Sequence, residues 1–401
     1  MFKKKLKIGM FWEQYEYGGV DSHIKYLIEN WENKDDNFII YHNKNNEGAN
    51  RLKKELNGQN IFFKEFNSIF NDKKNYLGFI LIPIKFIISI FKYMDVIRND
   101  NLDVMISQNG GYPAAYGVLA SLATSFRLKI PVRILVVHHQ ALKPNFFMNF
   151  FRGLLDKLVS KTASSIICVS EATYESLKKC TLLLNNENIH SRVIYNCVPD
   201  FKELEDKKNI FEKVENEKLI GIIGRIEDYK GHNDLIFSYS QLPEEIKKNN
   251  KILIIGKGKE EQILKVKSLI KKLNLEDRIL FKGYIDEKIE KILKSLDLVV
   301  MPTRSFEGFG YTIAEAMSAG IPVLASKTGA VQELLSLKEG SLFQPGNISE
   351  LTENLIDFNI NNESWKKKTS LAKIKINKRF NAKKIAKEFR DHLQLKYLEK
   401  H

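Results

Sequence analysis

Residues 307–320 read EGFGYTIAEAMSAG and follow an apolar run, DLVVMP, at 297–302. The run predicts a strand, and helical spacing begins again near Thr312, which suits the position of an N-cap. Gly308 and Gly310 leave the backbone between strand and helix open to close approach by a ligand. Because a helix N-terminus offers unpaired N–H groups and a partial positive charge, the stretch predicts a strand–loop–helix unit that binds a phosphate.

Two glutamates bracket this loop. Glu315 is expected one turn into the helix, where a carboxylate cannot favour phosphate and instead accepts hydrogen bonds from a ribose diol. Glu307 precedes the glycines, and we expect it to accept hydrogen bonds from sugar hydroxyls or to shield positive charge that develops at an anomeric carbon. The alternative is that both acids only stabilise the helix through its dipole.

A second loop carries the cations that a diphosphate needs. In GRIEDYKG at 224–231 a predicted strand ends at Gly224, and Arg225 and Lys230 follow within one loop. Two fixed cations a few residues apart suit the negative charges of a diphosphate. The alternative interpretation is a pair of surface cations on an ordinary strand–helix loop.

The rest of the chain predicts two α/β domains. Short apolar runs, typical of strands in parallel sheets covered on both faces, alternate with helical patterns. The first series of predicted strands is 7–11, 38–42, 103–107, 133–137, 165–170 and 192–196. The second series is 218–224, 251–256, 278–283, 297–302 and 322–326. Two such series predict two doubly wound domains with ligands at the carboxyl ends of their strands.

A polar, charged stretch at 198–218 separates the two series, and we interpret it as an interdomain linker or crossover. An N-terminal domain is therefore placed at 1–200 and a C-terminal domain at 201–378. Residues 379–401 predict a basic amphipathic helix that either packs on the domains or lies on a membrane surface. The apolar stripe of this helix consists of Ile385, Phe389, Leu393 and Tyr397.

Two motifs of the N-terminal half carry weaker signals. YEYGGVDSH at 15–23 places a double glycine, which includes Gly19, between a strand and a helix, where the backbone can approach a phosphate or a sugar. RILVVHHQ ends a predicted strand with His138 and His139, one of which must point toward the ligand side because strand side chains alternate. Such a histidine would donate to a donor sugar or orient an acceptor; the alternative is a structural histidine.

Composition excludes several classes of protein. The 401 residues are 43% hydrophobic and 28% charged, as in globular proteins. Three cysteines without a C-x-x-C pair argue against a disulfide framework and a structural zinc site. GKGKEE at 256–261 lacks the third glycine of a dinucleotide-binding loop. No Asp-x-Asp pair follows a predicted strand, so we expect no cofactor and no metal, with cationic side chains and helix dipoles taking the place of the ion.

The charge pattern bears on the partners. The net charge is +14, and residues 366–400 alone carry 13 basic and 3 acidic residues. This concentration indicates either a solvated basic face or attraction to an anionic membrane, and the absence of a nucleic-acid-binding motif argues against nucleic acid. The apolar stretch 76–97, interrupted by Pro83, Lys85 and Lys92, predicts a buried helix or a surface that enters the membrane interface. No signal peptide is expected at the basic N-terminus, which predicts a cytoplasmic protein.

An ordered set of motifs runs along the chain: GGV near the N-terminus, GRIEDYKGH, IIGKG, FKGY, EGFGYTIAEAMSAGIPVLAS and KTGAVQEL. Together they resemble the motifs of the retaining glycosyltransferases of family 4, or glycosyl transferases group 1. The resemblance covers most of the chain and is strongest over about 219–335. It implies the GT-B fold, in which two Rossmann-like domains face a cleft. The C-terminal domain would bind a nucleotide sugar, the N-terminal domain would bind the acceptor, and the last helix would cross back to the N-terminal domain.

By matching motif positions, the resemblance implies catalytic roles for Glu307 and for Arg225 and Lys230, which would neutralise the leaving diphosphate. The family usually shows a single catalytic histidine where this chain has HHQ. The spacing from Pro131 favours His138 for this role, and which of the two histidines acts stays open. The implied substrate-binding residues are Gly19, His139, Gly283, Tyr284, Gly308, Phe309, Gly310, Tyr311, Thr312 and Glu315. Within this set Glu315 would hold the ribose, and the Gly283–Tyr284 backbone would border the base.

The reaction implied by the resemblance is transfer of a sugar, with retention and without a metal, from a nucleoside diphosphate sugar to a glycan or lipid-linked acceptor. The expected setting is cell-surface polysaccharide or lipopolysaccharide assembly at the inner face of a bacterial membrane, with peripheral contact to anionic lipid. Two alternatives stay open. One is a sugar-nucleotide epimerase or phosphorylase-like enzyme on the same fold, and the other is a non-catalytic binding protein.

Overall fold

The computed structural model describes residues 4–56, 58, 60–70, 81–143, 149–185, 190–201 and 210–400. The chain divides into two compact units: unit 1 comprises Met1–Cys197 and Ala382–His401, and unit 2 comprises Val198–Asn381. Each unit has its own parallel sheet with helices between the strands, which confirms the predicted α/β class with two doubly wound domains. Residues 202–209 of the predicted linker and 76–80 of the apolar stretch lie outside the described residues.

Unit 1 contains a seven-stranded sheet. Its strands are β1 (Lys7–Trp12), β2 (Asn37–Asn43), β3 (Ile61–Phe66), β4 (Val104–Asn109), β5 (Val132–Val137), β6 (Ser165–Cys168) and β7 (His190–Val193). The described helices between them are α1 (Gly19–Glu29), α2 (Glu47–Glu55), α3 (Ile82–Ile97), α4 (Tyr116–Arg127), α5 (Asn149–Thr162) and α6 (Glu171–Cys180). The strand order is β3-β2-β1-β4-β5-β6-β7, and neighbouring strands pair in parallel.

Unit 2 contains a six-stranded sheet in the order β10-β9-β8-β11-β12-β13. Its strands are β8 (Lys218–Ile223), β9 (Asn250–Ile255), β10 (Ile279–Gly283), β11 (Leu298–Met301), β12 (Val323–Ser326) and β13 (Ser341–Phe343). Its helices are α7 (His232–Ser240), α8 (Glu244–Lys247), α9 (Glu260–Lys272), α10 (Ile289–Lys294), α11 (Tyr311–Ala319), α12 (Val331–Leu334), α13 (Ile348–Ile360) and α14 (Asn362–Arg379). All five neighbouring pairs of strands run in parallel.

Two strands escaped the sequence analysis, and both lie at sheet edges. β3 reads IFFKEF, and only its last residue is buried, because an edge strand has one open side and needs no continuous apolar run. β13 is buried but has only three residues, too few to form a recognisable period. The strands inside the sheets, such as β4 and β12, are buried throughout, which is why their apolar runs predicted them.

The predicted apolar stripe of the last helix is buried in unit 1. This helix, α15 (Ala382–Leu398), packs against α1 and β5. Ile385, Phe389 and Leu393 are at most 3% exposed. The helix begins at Ala382 rather than near 379 because α14 continues to Arg379.

Part of the positive charge of the C-terminal segment is used inside unit 1. Arg390 is fully buried, and its Nε donates to Asp36 at 2.9 Å. Lys396 is 3% exposed, and its Nζ donates to Glu399 at 2.7 Å. Cations held in this way cannot bind an anionic surface, so the basic face of this segment is smaller than its charge count predicts.

The described part of the apolar stretch 76–97 forms α3, which has Pro83 in its first turn. One face of the helix is buried, while the opposite face, which includes Ile87, is exposed. The prediction of a buried helix therefore holds for one face only. Among the described residues, no helix combines the length and the apolar character that a bilayer crossing requires.

Candidate functional site

The strand order of unit 2 reverses at β8, which lies between β9 and β11. In doubly wound sheets such a reversal opens a crevice at the carboxyl ends of the strands, where ligands bind. Lys230 lies in the loop that follows β8, and Glu307 lies in the loop that follows β11. The Nζ of Lys230 donates to Oε1 of Glu307, so the structure brings two predicted catalytic residues into contact at this crevice.

The ion pair is partly buried. The side chains of Lys230 and Glu307 are 21% and 14% exposed. Oε1 of Glu307 also accepts a hydrogen bond from Thr303 Oγ1 at 3.3 Å, and the Lys230 Nζ lies 5.4 Å from the centre of the Tyr229 ring. Because partial burial strengthens an ion pair relative to bulk water and still leaves solvent access, an anionic ligand can compete with Glu307 for the lysine.

His232 follows this loop and begins α7, and it was not among the site residues predicted from the sequence. Burial, reinforced by the charge of Lys230, lowers the pKa of His232 to about 4. The imidazole is therefore neutral at physiological pH and adds no positive charge beside the lysine. A lone histidine at the start of a helix carries no pattern from which this position could have been predicted.

Two glycines let neighbouring loops reach the ion pair. Gly231 has φ +76°, and a Cβ there would overlap the carbonyl oxygen of Pro302. Gly329 has φ +49°, and a Cβ there would overlap the backbone of Glu307. The Ala330 N–H donates to the Glu307 carbonyl at 2.8 Å. The KTGAVQEL motif therefore supports the Glu307 backbone, a role that the sequence alone did not show.

Replacement of Gly329 by alanine is expected to destabilise unit 2 by at least about 1–2 kcal/mol, because a positive φ alone costs a residue with a Cβ this much. The overlap with Glu307 adds to that cost. Thermal unfolding measures it. Gly153→Ala is the matched control, since a Cβ at that helical position meets no atom within 4 Å and helical alanine is favourable. Equal unfolding temperatures for the two variants would contradict the packing described here.

The IIGKG motif positions the end of β9 beside the end of β8. Gly256 has φ +150°, and a Cβ there would overlap the carbonyl oxygen of Gly224. Ile226 N donates to the Lys257 carbonyl at 2.7 Å. These glycines thus bring two strand ends together.

Gly283 and Tyr284 lie at the same edge of the sheet. Gly283 has φ +65°, and its carbonyl accepts from Gly256 N at 2.8 Å. The Tyr284 ring is 42% exposed, and the Nζ of Lys257 lies 4.7 Å from its centre. Both predicted base-bordering residues therefore lie next to the β9 loop, at the end of β10, which β9 and β8 separate from β11.

Helix α11 begins at Tyr311, and Gly310 is its N-cap with φ +92°. The expectation that Thr312 caps this helix is wrong, because the left-handed glycine turns the chain two residues earlier and places the threonine inside the first turn. Its hydroxyl lies 3.4 Å from the Ile223 carbonyl, at the end of β8. Phe309 is buried with its ring against Tyr311, so its backbone is the part left for a ligand.

Glu315 lies one turn into α11, as predicted, and is 6% exposed. Gly308 directly follows Glu307 in the loop before this helix. Arg225 follows Gly224 and is exposed; its Nη1 lies 3.3 Å from Glu227 Oε1, and its Nη2 donates to the Tyr229 hydroxyl at 2.9 Å. These predicted residues are all in unit 2, on the loops and the helix that follow β8 and β11.

Arg304, which fixes the loop after β11, was also not predicted from the sequence. Its Nε donates to Asp234 Oδ2 at 2.7 Å, and its Nη2 donates to Oδ1 of the same carboxylate. This hydrogen bonding raises the pKa of Arg304 above its usual value. The Arg304 backbone N–H donates to the Tyr229 carbonyl at 2.7 Å, so the loop is tied to the one that carries Lys230.

The remaining predicted residues lie in unit 1. Gly19 is the first residue of α1, and Gly18 before it donates its N–H to Asp21 Oδ2 at 2.6 Å. Burial raises the pKa of Asp21 to about 7. β1, which precedes this helix, lies between β2 and β4, so Gly19 is at the strand-order reversal of its own sheet.

The two histidines differ in their surroundings. His138 follows β5 and is buried; its Nε2 lies 2.7 Å from Gln108 Oε1, and its ring centre lies 4.8 Å from that of His23. Burial keeps the pKa of His138 well below its usual value and lowers that of His23 to about 4. His139 is half-buried beside Gly111. His23 in GGVDSH was not singled out from the sequence, although it follows the glycine pair.

Within the described residues, no group of three or more His, Cys, Asp or Glu side chains is arranged to hold a metal ion. The charged groups at the unit 2 crevice include the side chains of Lys230, Arg225 and Glu307 on its loops. These groups can bind an anion through Lys230 and hydroxyl groups through Glu307. A metal-independent reaction stays a prediction.

Comparison with known proteins places this site in context. Residues 203–377 match the family model described as Glycosyl transferases group 1. An uncharacterized glycosyltransferase of Methanocaldococcus jannaschii is 24% identical over 96% of this chain and 98% of its own length. The O-antigen biosynthesis glycosyltransferase WclY of Escherichia coli is 32% identical over 35% of this chain and 39% of its own. The crystal structure of Anabaena HepE in complex with UDP and glucose has a TM-score of 0.76 at 19% identity, covering 97% of this chain and 99% of that one.

Proposed function

We propose that this chain is a group 1 glycosyltransferase that transfers a sugar, with retention, from a nucleoside diphosphate sugar to a glycan or lipid-linked acceptor. Its GT-B architecture and the match of residues 203–377 to the group 1 family model support the proposal. The observation that carries the proposal is the Lys230–Glu307 pair at the strand-order reversal of unit 2. One cation and one carboxylate are joined there at the carboxyl edge, where a doubly wound sheet binds ligands.

The two members of the pair have different tasks in the proposed reaction. Lys230, with Arg225 on the same loop, neutralises the negative charge that builds on the leaving diphosphate. Glu307 accepts hydrogen bonds from the donor sugar and shields the positive charge at its anomeric carbon. His232 is neutral and adds no positive charge beside the pair. In the proposed reaction Lys230 therefore exchanges Glu307 for the diphosphate when the donor binds.

The bond changes of the proposed transfer balance without a cofactor. The bond between the anomeric carbon and the diphosphate oxygen breaks, and the acceptor hydroxyl oxygen bonds to that carbon on the same face. The hydroxyl proton passes to the leaving phosphate. The Gly308–Gly310 backbone before α11 offers N–H groups to the phosphate, and the buried Glu315 is proposed to hold the ribose.

UDP-sugars are the first donors to test, since the HepE structure contains UDP. The acceptor is proposed to be a growing cell-surface polysaccharide or lipopolysaccharide at the cytoplasmic face of the membrane, in line with the O-antigen role of WclY. A sugar-nucleotide epimerase or phosphorylase-like enzyme would act without such an acceptor. Release of nucleoside diphosphate that depends on added acceptor therefore favours the transferase. Roles for His138 and His139 toward the sugar or the acceptor stay predictions.

Lys230→Ala tests the proposal directly. The variant is expected to weaken UDP binding by about 1.5–3 kcal/mol, the worth of a hydrogen bond to a charged group, measured by isothermal titration. Lys375→Ala is the matched control, because the Lys375–Glu339 pair has the same exposures, 21% and 14%, as the Lys230–Glu307 pair. Its glutamate precedes β13, at the amino edge of the sheet. Unchanged UDP affinity in Lys230→Ala would remove the lysine from the site.

A further inference from the structure

Helix α3 of unit 1 is apolar on two opposite faces. Its core face is nearly covered by the rest of unit 1; Ile82, Phe86, Tyr93 and Ile97 are at most 8% exposed. These positions recur at spacings of four and seven residues, as expected for the buried side of a surface helix. The remaining side of such a helix is normally polar.

In α3 the remaining side is apolar as well. Ile84, Ile87, Ile88 and Phe91 are 55%, 56%, 44% and 53% exposed. Their spacings of three, one and three residues place them on one face of the helix, and we call these four residues the outer stripe. Single exposed apolar residues are common on proteins, but a contiguous group of this kind marks an interaction surface.

Basic residues lie on the helix that carries the outer stripe and at the end of α4, which packs against it. Lys85 and Lys92 lie on the same helix, the first half-exposed and the second exposed. The guanidinium of Arg127, at the end of α4, lies 5.3 Å from the centre of the Phe91 ring. Lys129 follows in the next loop and is also exposed. The acid on the exposed side of α3, Asp95, is paired with Arg98 at 3.5 Å and so does not oppose these cations.

We propose that the outer stripe docks unit 1 on the surface of an anionic lipid bilayer. The four apolar side chains enter the boundary between headgroups and acyl chains, while the lysines and arginine stay at the level of the headgroup phosphates. This combination favours lipid over a protein partner, because anionic headgroups match the cationic rim and the acyl boundary matches the stripe. The purpose of this docking, to bring the enzyme to a lipid-linked acceptor, rests on the proposed function. The binding of the outer stripe to lipid does not depend on that function.

Sedimentation of the full chain with vesicles tests this proposal, using phosphatidylglycerol mixed with phosphatidylcholine against phosphatidylcholine alone. Wild type is expected to bind the anionic vesicles more tightly. The double variant Ile87→Asp/Phe91→Asp is expected to lower the partition coefficient at least about tenfold, since it removes two large apolar groups from the interface. Lys85→Gln/Lys92→Gln is expected to lower it about 25-fold on anionic vesicles only, at about fivefold for each lysine.

Ile374→Asp provides the matched control. Ile374 is 61% exposed on α14 and lies between Lys373 and Lys375, so it has the same residue type and a basic setting. Leu371, which is 39% exposed, is its single exposed large apolar neighbour on that helix, so no stripe of four is present there. Its replacement is expected to leave vesicle binding within twofold. Equal losses in this control and in the stripe variant would overturn the proposal, as would equal binding of wild type to neutral and anionic vesicles.

Two further measurements separate the remaining outcomes. Sedimentation velocity without lipid tests self-association. If wild type forms a dimer that the Ile87→Asp/Phe91→Asp substitutions dissociate, and wild type does not bind vesicles, the stripe contacts a second copy of the chain and the lipid proposal is overturned. UDP titration is run on every variant. If wild type binds vesicles but not UDP, the docking is supported and the proposed function is contradicted. If wild type binds UDP but not vesicles, the proposed function is supported and the docking is contradicted.

Discussion

Glu307→Gln is expected to lower kcat for sugar transfer by about 10²- to 10³-fold while leaving UDP affinity unchanged or slightly increased. The rate loss follows because the glutamine has the shape of the glutamate but no charge to stabilise a positive anomeric carbon, and removal of one such electrostatic contact costs about this factor. The affinity is preserved because the neutral amide no longer competes with the diphosphate for Lys230, which the carboxylate holds in the unliganded structure.

The opposite behaviour of the two partners makes this prediction specific. Lys230→Ala is expected to weaken UDP binding, whereas Glu307→Gln is expected to affect the rate. Glu339→Gln is the control for the loss of a partly buried carboxylate that is paired with a lysine. Acceptor-dependent release of UDP gives kcat, and titration with UDP alone gives the affinity. A Glu307→Gln enzyme with kcat within threefold of wild type would exclude the glutamate from catalysis.

The contact between these residues shows how far the sequence reaches. Lys230 and Glu307 were each predicted to line the pocket, yet their direct pairing was not, because they are 77 residues apart and meet only when β8 and β11 become neighbours. The Arg304–Asp234 contact was missed for the same reason, as its two residues are 70 apart. Local patterns predict which loop a residue belongs to, and the strand order decides which loops meet.

Local rules also failed where glycine changes the backbone. Thr312 has the residue type of an N-cap, and the sequence favoured it because a side-chain cap is common at helix starts. Gly310 takes that position instead, because its positive φ turns the chain into α11 without a side-chain cap. Gly329 likewise has no local signal, since its reason is the nearby Glu307 backbone. Such glycines are understood only from what their missing Cβ would meet.

The apolar periods, by contrast, were sufficient for the interior of both sheets and for the stripe of α15. Each buried strand has to present apolar residues on both faces, so its pattern depends little on what surrounds it. The stripe of α15 predicted a buried face, but it could not indicate Arg390, which the charge count had assigned to a basic surface. The structure shows this arginine inside unit 1, where its partner is 354 residues away.

Arg390→Ala is expected to destabilise unit 1 by about 3–5 kcal/mol, because removing one member of a buried ion pair leaves the other charge buried and uncompensated. Both side chains are fully buried, with Arg390 Nε 2.9 Å from Asp36 Oδ2. The carboxylate also accepts from Leu6 N and the Trp31 indole, each at 2.8 Å, so it connects the residue before β1 and the segment after α1 to α15. Loss of the arginine therefore weakens three segments together.

Tryptophan fluorescence during urea unfolding can report this loss for unit 1 alone. In a Trp365→Phe background the two remaining tryptophans, Trp12 and Trp31, both belong to unit 1. Lys387→Ala is the control on the same helix, since its exposed pair with Asp391 is expected to leave the midpoint unchanged. An Arg390→Ala midpoint equal to that of the control would mean that the buried pair does not hold the last helix in unit 1. A large shift, restored in part by Asp36→Asn in the same chain, would identify the uncompensated carboxylate as the cause.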